Sequence, residues 1–349
     1  VRLPEDEAPH AVLAEWWYYT GHLYAPVAAG SEAEAEYGFE LVFFRAVRGE
    51  RPPGYAAHFA VTDLPRGRFR YDQRQDVALN EAGGAPPAAT PGSGGAPPAG
   101  ALPVGTVSRP VPGGGFDLTL DGWRIAGRDG RDTLNAAMPG YDLDVGLTAT
   151  RPPALHQGDP PQFPGLISFG PAGYSYYYSR TRMTAAGTLT VDGAPLAVRG
   201  DVWMDHQWGD FLVLGGGGWD WFAGNLRDGR DLTCSIVRDA AGQVVLAYGT
   251  LVETDGQARH LRPSDVQLTP TGWWTSPRTS IRYPSGWRVT VRGAGLDLNW
   301  VPLLADQELD TRPSTGVIYW EGAVRLEDAA TGADAGRGYV ELTGYTPPS

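Results

Sequence analysis

Apolar and polar residues alternate with a period of two along much of this chain. In YDLDVGLTAT (141–150), Leu143, Val145 and Leu147 fall on one side and Asp142, Asp144 and Gly146 on the other, the signature of a strand with one buried face. FDLTLDGWRIAG, GTLTVDGAPLAVRG and LTCSIVRDAAGQVVLAYG repeat it, the second with an Asp-Gly hairpin turn at Asp192-Gly193. Near the start, EWWYYTGHLY and EYGFELVFFRAV are apolar almost without a break and rich in aromatic residues, as strands are. SIRYPSGWRVTVRG, GVIYWEGAVRLED and GYVELTGY follow at the short spacing of an antiparallel barrel or sandwich. No stretch sustains i, i+3, i+4, i+7 apolar spacing over three turns. The pattern predicts an all-β protein with little helix.

Length adds a domain count. A chain of 349 residues exceeds one ordinary core, so two β domains are expected, with the boundary placed between residues 197 and 198. The run EAGGAPPAATPGSGGAPPAGALPVG (81–105) is nearly all Ala, Gly, Pro and Ser and reads as a flexible or extended surface loop. EWWYYTG, WMDHQWG, WDWF and YWEG share a style, which leaves a twofold duplication open.

Composition mainly excludes. The net charge is −12, all 28 basic residues are arginine and no basic run occurs, so no nucleic-acid partner is expected. Without lysine, Schiff-base chemistry has no nucleophile. The single cysteine, Cys234, lies in an alternating apolar stretch and can form no internal disulfide. No run of 18 apolar residues suggests a transmembrane segment. The first residue is Val1 rather than Met; a secreted or periplasmic location after signal removal and a cytoplasmic one both stay open.

Candidate chemistry concentrates between 203 and 222, where Asp205, His206, Asp210 and Asp220 stand among Trp203, Trp208, Trp219 and Trp221. If VWMDHQW (202–208) is a regular strand, Met204, His206 and Trp208 share one face and Trp203, Asp205 and Gln207 the other. Asp205 and His206 then form no dyad, and His206 needs Asp220, Glu15 or Tyr18 as a partner, or is a core histidine. Asp205 can equally cap a turn or pair with Arg180 or Arg182. Tyr174, Tyr176 and Tyr178 alternate with Ser175, Tyr177 and Ser179; such tyrosines line cavities or pack interfaces. Glu321 and Glu341 interrupt apolar strands and read as acids paired across a sheet. GGGG (215–218) lacks the Lys-Ser or Lys-Thr of a phosphate loop and suits a cavity lip. HExxH, GxSxG and CxxC are absent, and neither metal nor cofactor is expected.

EWWYYTGHL (15–23), GDVWMDHQWGDF (200–211), GWDWFAGNLRDGRDL (218–232), YWEGAV (319–324) and GYVELTGY (338–345) together resemble the AttH and carotenoid 1,2-hydratase (CrtC) family of lipocalin-like proteins. The resemblance implies two lipocalin-like, or calycin-like, antiparallel β domains packed together, with a ligand cavity at or near their interface. It also implies that Glu15-Trp16-Trp17-Tyr18 corresponds to the lipocalin first-strand signature, in which a tryptophan closes the barrel base. In carotenoid hydratases a His-x-Trp pair and a following aromatic-Asp arrangement are implicated in catalysis. His206-Gln207-Trp208 matches the first, and Trp219-Asp220-Trp221 matches the second imperfectly.

These readings converge on a cofactor-independent enzyme that holds a long apolar isoprenoid or polyene ligand between two β domains. Acid-catalysed hydration, isomerisation or cyclisation would follow, with Asp220, His206 and Asp205 as catalytic residues. Trp208, Trp219, Trp221, Glu15, Tyr18, Tyr176 and Tyr178 would bind the ligand. Protonating an alkene calls for a carboxylic acid kept neutral by burial and aromatic faces for the cation. Two other readings stay open: a non-catalytic carrier of a lipid or secondary metabolite in the cell envelope, and a scaffold with an occluded interior.

Overall fold

Period-two alternation becomes two antiparallel sheets in the computed structural model, which describes residues 1–28, 31–49, 51–76, 105–158, 160–211 and 217–347. The first has 13 strands. Four N-terminal strands lead, through Ala14–Pro26, to Ala194–Phe211 and Gly173–Val191, and on through Tyr141–Ala149 to the hairpins that end at Thr106–Ser108. The second has 10 strands, with Gly218–Leu226 and Asp334–Leu342 at its centre. Both curl into lipocalin-like barrels, and helix among the described residues is confined to single 3-10 turns such as Glu5–Glu7.

Turn chemistry sets the hairpins. Asp121-Gly122, Asp129-Gly130 and Asp192-Gly193 each have positive φ at both residues, the two-residue loop whose twist matches the flanking strands. The expected domain boundary at 197/198 falls inside Ala194–Phe211, a strand that pairs with Ala14–Pro26 and Gly173–Val191. By sheet membership the changeover comes between Phe211 and Gly218. The Ala/Gly/Pro-rich run lies outside the described residues apart from Gly105, as do Gly215 and Gly216 of the proposed cavity lip.

The near-continuous apolar strands are buried on both faces. Along Ala14–Pro26, Trp17 and Tyr19 enter the first barrel core, while Tyr18 joins Val42, Trp203, Trp221, Ala323 and Tyr339 in a layer between the sheets. Each fully buried large side chain contributes about 1.5–3 kcal/mol. The sheets approach so closely at Gly38 that a Cβ there would lie 2.5 Å from the Tyr339 hydroxyl and 2.7 Å from Ala323 Cβ. Trp17 closes the first barrel: its indole donates to the Glu7 carbonyl at 3.3 Å, and the Glu7 carboxylate accepts from Arg180.

Candidate active site

The space between the sheets opens into a narrow cleft of about 910 Å3, counting the part open to solvent. Trp16 and Tyr18 face it from Ala14–Pro26, Glu40 and Phe44 from Glu34–Ala46, Tyr177 from Gly173–Val191, and Asp205, Gln207 and Phe211 from Ala194–Phe211. The second sheet supplies Trp219, Trp221, Arg238, Tyr248 and Glu341. The wall is aromatic: Tyr18 meets Trp221 edge-on at 5.3 Å, and Phe211 packs against Trp16 at 5.7 Å and Phe169 at 5.2 Å.

Three buried carboxyl groups, Asp205, Glu40 and Glu321, and the half-buried Glu341 stand in or behind this wall. Asp205 accepts from the Tyr177 hydroxyl at 2.6 Å, the Trp203 indole at 2.6 Å and the Ser179 hydroxyl. Trp221 in turn donates to the Tyr177 oxygen at 3.0 Å. Behind Ser179, His156 bridges its hydroxyl at 2.6 Å and that of Thr250 at 2.9 Å; burial pushes this histidine down to about 3, so it is neutral. Burial raises Asp205 to about 6 even though its donors favour the ionised form. Among the described residues Glu341 has a single donor, the Trp219 indole at 2.8 Å, and burial lifts it to about 7.

Glu40 and Glu321 are deeper. Each accepts one tyrosine hydroxyl, Tyr319 at 2.8 Å and Tyr18 at 2.6 Å respectively, and among the described residues the second oxygen of each has no partner. Burial, followed for Glu321 by the neighbouring glutamates, raises Glu40 to about 8 and Glu321 well above the ordinary range. Glu321 lies directly across the strand pair from Glu341.

Strand alternation divides the residues picked from sequence. Asp205, Tyr18, Trp219 and Trp221 reach the cleft. Trp208 and Tyr178 pack inside the first barrel, with Tyr176 against them. His206 also points inward: its Nε2 meets Glu15 Oε1 at 2.9 Å, and its ring stacks on Trp17 at 4.6 Å. Glu15, not Asp220 or Tyr18, is therefore its partner, and Glu15 also lies inside the barrel. Burial would raise Glu15, but hydrogen bonds with His10 and His206 outweigh it and hold its pKa down. Asp220 faces away from the cleft, held by Arg238 at 2.7 and 2.9 Å and by Tyr345 at 3.0 Å. Asp205 pairs with neither Arg180 nor Arg182, which bind Glu7 and Asp231. Arginine competes poorly at Asp205 because the strand places Ser179 directly opposite it.

His10 Nδ1, Glu15 Oε1 and His206 Nε2 converge as the ligands of a divalent metal can. The separations of 2.7 and 2.9 Å are hydrogen-bond lengths, shorter than the ~3.3 Å edge of a tetrahedral site with ~2.0 Å bonds. Arg45 also lies 3.5 Å from the other Glu15 oxygen. The trio reads as a hydrogen-bonded clasp beneath the N-terminal segment.

Sequence reasoning passed over Glu40 and His156 as site residues, named Tyr177 only among the tyrosines that could line a cavity or pack an interface, and read Glu341 as a paired acid. Glu40, in the apolar run FELVFF, carried the same signal as Glu341, an acid where a core residue is expected. Tyr177 was distinguishable from Tyr176 and Tyr178 only by facing with Asp205, and His156 carried no signal.

Two lipocalin-like β barrels sharing an aromatic, acid-lined cleft define the class of protein. Within that class the chain belongs to the AttH-like family, whose model matches residues 1–345. A protein assigned as AttH from Nitrosomonas europaea is similar in structure, with TM-score 0.78 and 31% identity over 99% of this chain and 97% of that one. Kievitone hydratase from Nectria haematococca shares the fold at TM-score 0.67 and 18% identity, over 99% and 92% of the two chains. So does CghA, in a structure with Sch210972, at TM-score 0.54 and 12% identity over 95% and 88%. No curated protein sequence matches the chain. Among the described residues no helix is long and apolar enough to cross a membrane.

Proposed function

We propose that this protein is a hydratase-type enzyme without a cofactor, which adds water across a carbon–carbon double bond of an apolar guest held in the cleft. One observation carries the reading: two carboxyl groups, buried Asp205 and half-buried Glu341, share an aromatic cleft but differ in hydrogen bonding, three donors reaching the first and, among the described residues, one reaching the second. Burial raises both, but the three donors at Asp205 favour its ionised form more than the one indole at Glu341 does, and such a difference divides acid and base roles.

Glu341 is the acid. Near neutrality it retains its proton in part, as efficient general acids do, and among the described residues no donor reaches its Oε1. It transfers that proton to one alkene carbon, leaving positive charge on the next, where the faces of Trp16, Trp219 and Trp221 stabilise it. Asp205, steadied as a carboxylate by three donors, has lone-pair capacity left to take a proton from the water that attacks the cation. The product is the alcohol. One proton leaves Glu341 and one arrives on Asp205, so the cycle closes by proton exchange with solvent. Isoprenoid and polyene ligands suit the wall, and the same acid can drive isomerisation or cyclisation where water is excluded.

The test is incubation of prenylated phenols and acyclic polyenes with the protein in 18O-labelled water, read by mass spectrometry. Labelled alcohol from the wild type, reduced at least ~100-fold in both Glu341→Gln and Asp205→Asn, supports the mechanism. Equal turnover by folded variants refutes the assignment, and release of an unmodified apolar ligand with no turnover of it favours a carrier.

A further inference from the structure

The cleft has more acid than its surroundings neutralise. Asp205, Glu40 and Glu321 are buried and Glu341 is half-buried, and the lining residues include one cation, Arg238. Its guanidinium is committed to Asp220 through two hydrogen bonds and lies over the Tyr345 ring at 4.9 Å. His58, hydrogen-bonded to the Tyr319 hydroxyl that serves Glu40, is kept neutral by burial. Tyr18, Tyr177, Tyr248, Tyr319 and Tyr339 face these acids, and burial pushes all their hydroxyls upward.

Two independent features point to what is missing. Among the described residues, Glu40 Oε2 and Glu321 Oε2 are buried without a partner, a rare condition that calls for an explanation. Glu40 lines the cleft together with the rings of Trp16, Tyr18, Phe44, Trp219 and Trp221, and Glu321 lies behind it, bonded to the Tyr18 hydroxyl. Aromatic faces backed by carboxylates recognise quaternary ammonium groups, which carry diffuse charge and demand no hydrogen-bond geometry.

We infer that the cleft is a receptor for a cationic guest, an ammonium group on a compact apolar body, bound in exchange for a carboxyl proton. The exchange balances: the protonated site and the cation give the ion-paired complex and one proton in solvent. The inference concerns the cleft of the proposed hydration and rests on the same acids, but needs no turnover. An ammonium there stands where the reaction would develop positive charge.

Benzyltrimethylammonium and its neutral isostere neopentylbenzene probe this on the full chain, by tryptophan fluorescence titration and by calorimetry in two buffers of different ionisation enthalpy. The expected result is at least ~10-fold tighter binding of the ammonium. Its affinity should rise with pH from about 6 to about 8.5 as the acids ionise. Near neutrality its heat should depend on the buffer, showing proton release. Glu40→Gln should lower the ammonium affinity while leaving the neutral probe unchanged. Equal or tighter binding of neopentylbenzene to the wild type overturns the inference, as does ammonium binding without proton release. Alkene turnover with no preference for the ammonium sinks this inference alone; proton-linked ammonium binding with no turnover sinks the hydration alone.

Discussion

The two faces of strand Ala194–Phe211 place neighbouring residues in opposite roles. Inward, Met204, His206 and Trp208 complete the first barrel, where His206 is wedged between Trp17 and Trp208 and bonded to Glu15. Outward, Trp203 packs against the second sheet, and Asp205 and Gln207 line the cleft. Both faces bury a titratable group completely, yet burial acts differently on each. Glu15 is held ionised by two histidines and lies near Arg45, a closed network that stabilises. The cleft acids have no ionic partner of that kind: burial raises Asp205 although three neutral donors favour its ionised form, and raises Glu341, so both titrate where proton transfer is useful. Burial and a shifted pKa therefore do not by themselves mark a functional residue; an open approach from solvent does.

The strongest way to break this comparison is to alter adjacent residues separately. Asp205→Asn should cut turnover by about 10²–10⁴-fold, ~3–5 kcal/mol of barrier, with the melting temperature little changed; steady-state kinetics beside calorimetry checks both. His206→Ala should do the reverse. It leaves a cavity among Trp17, Trp208 and Tyr178 and removes one donor from Glu15, costing about 2–4 kcal/mol in denaturant unfolding. Turnover per folded molecule should stay within about threefold. If both variants lost activity alone, the inward face would have a catalytic part and the division would fail.

Smaller effects sharpen it. Trp221→Phe keeps the ring but deletes the donor to Tyr177, and should cost about 1 kcal/mol in stability. It should also move the acidic limb of the pH–rate profile, because Tyr177 bonds Asp205 directly. The smallest signal is in the pH dependence of folding. Glu40 and Glu341 have folded values raised above those of the unfolded chain, so their stabilising contribution is fully present below about 4.5 and is lost as pH rises through about 7 and 8. Glu40→Gln should accordingly raise the melting temperature near pH 8 and leave it nearly unchanged near pH 4.5. A Glu40→Gln shift of the same size at both pH values would mean that Glu40 is not a retained acid.

Much of the fold was legible because its information is local. Period two separated Asp205 from His206, Asp192-Gly193 marked a hairpin, and near-continuous apolar runs such as EWWYY marked strands. The site was legible only in part. Trp219, Trp221, Tyr18 and Asp205 were found because they crowd together in sequence with other acids and rings. Asp220 and His206 drew attention for the same reason and proved to face elsewhere. Glu40 and Glu341 come from distant strands of different sheets, and nothing local shows that they meet Asp205.

The sequence by itself determined the β class, the strand faces and the AttH-like family, since alternation, turn residues and motif order act over a few residues or along the chain. Which face of each strand became the cleft was decided only by the packing of one sheet on the other. That packing withdrew Asp205, Glu40 and Glu321 from water, left Glu341 half-buried and raised the pKa of each, because desolvation depends on everything surrounding a group and not on its neighbours in sequence.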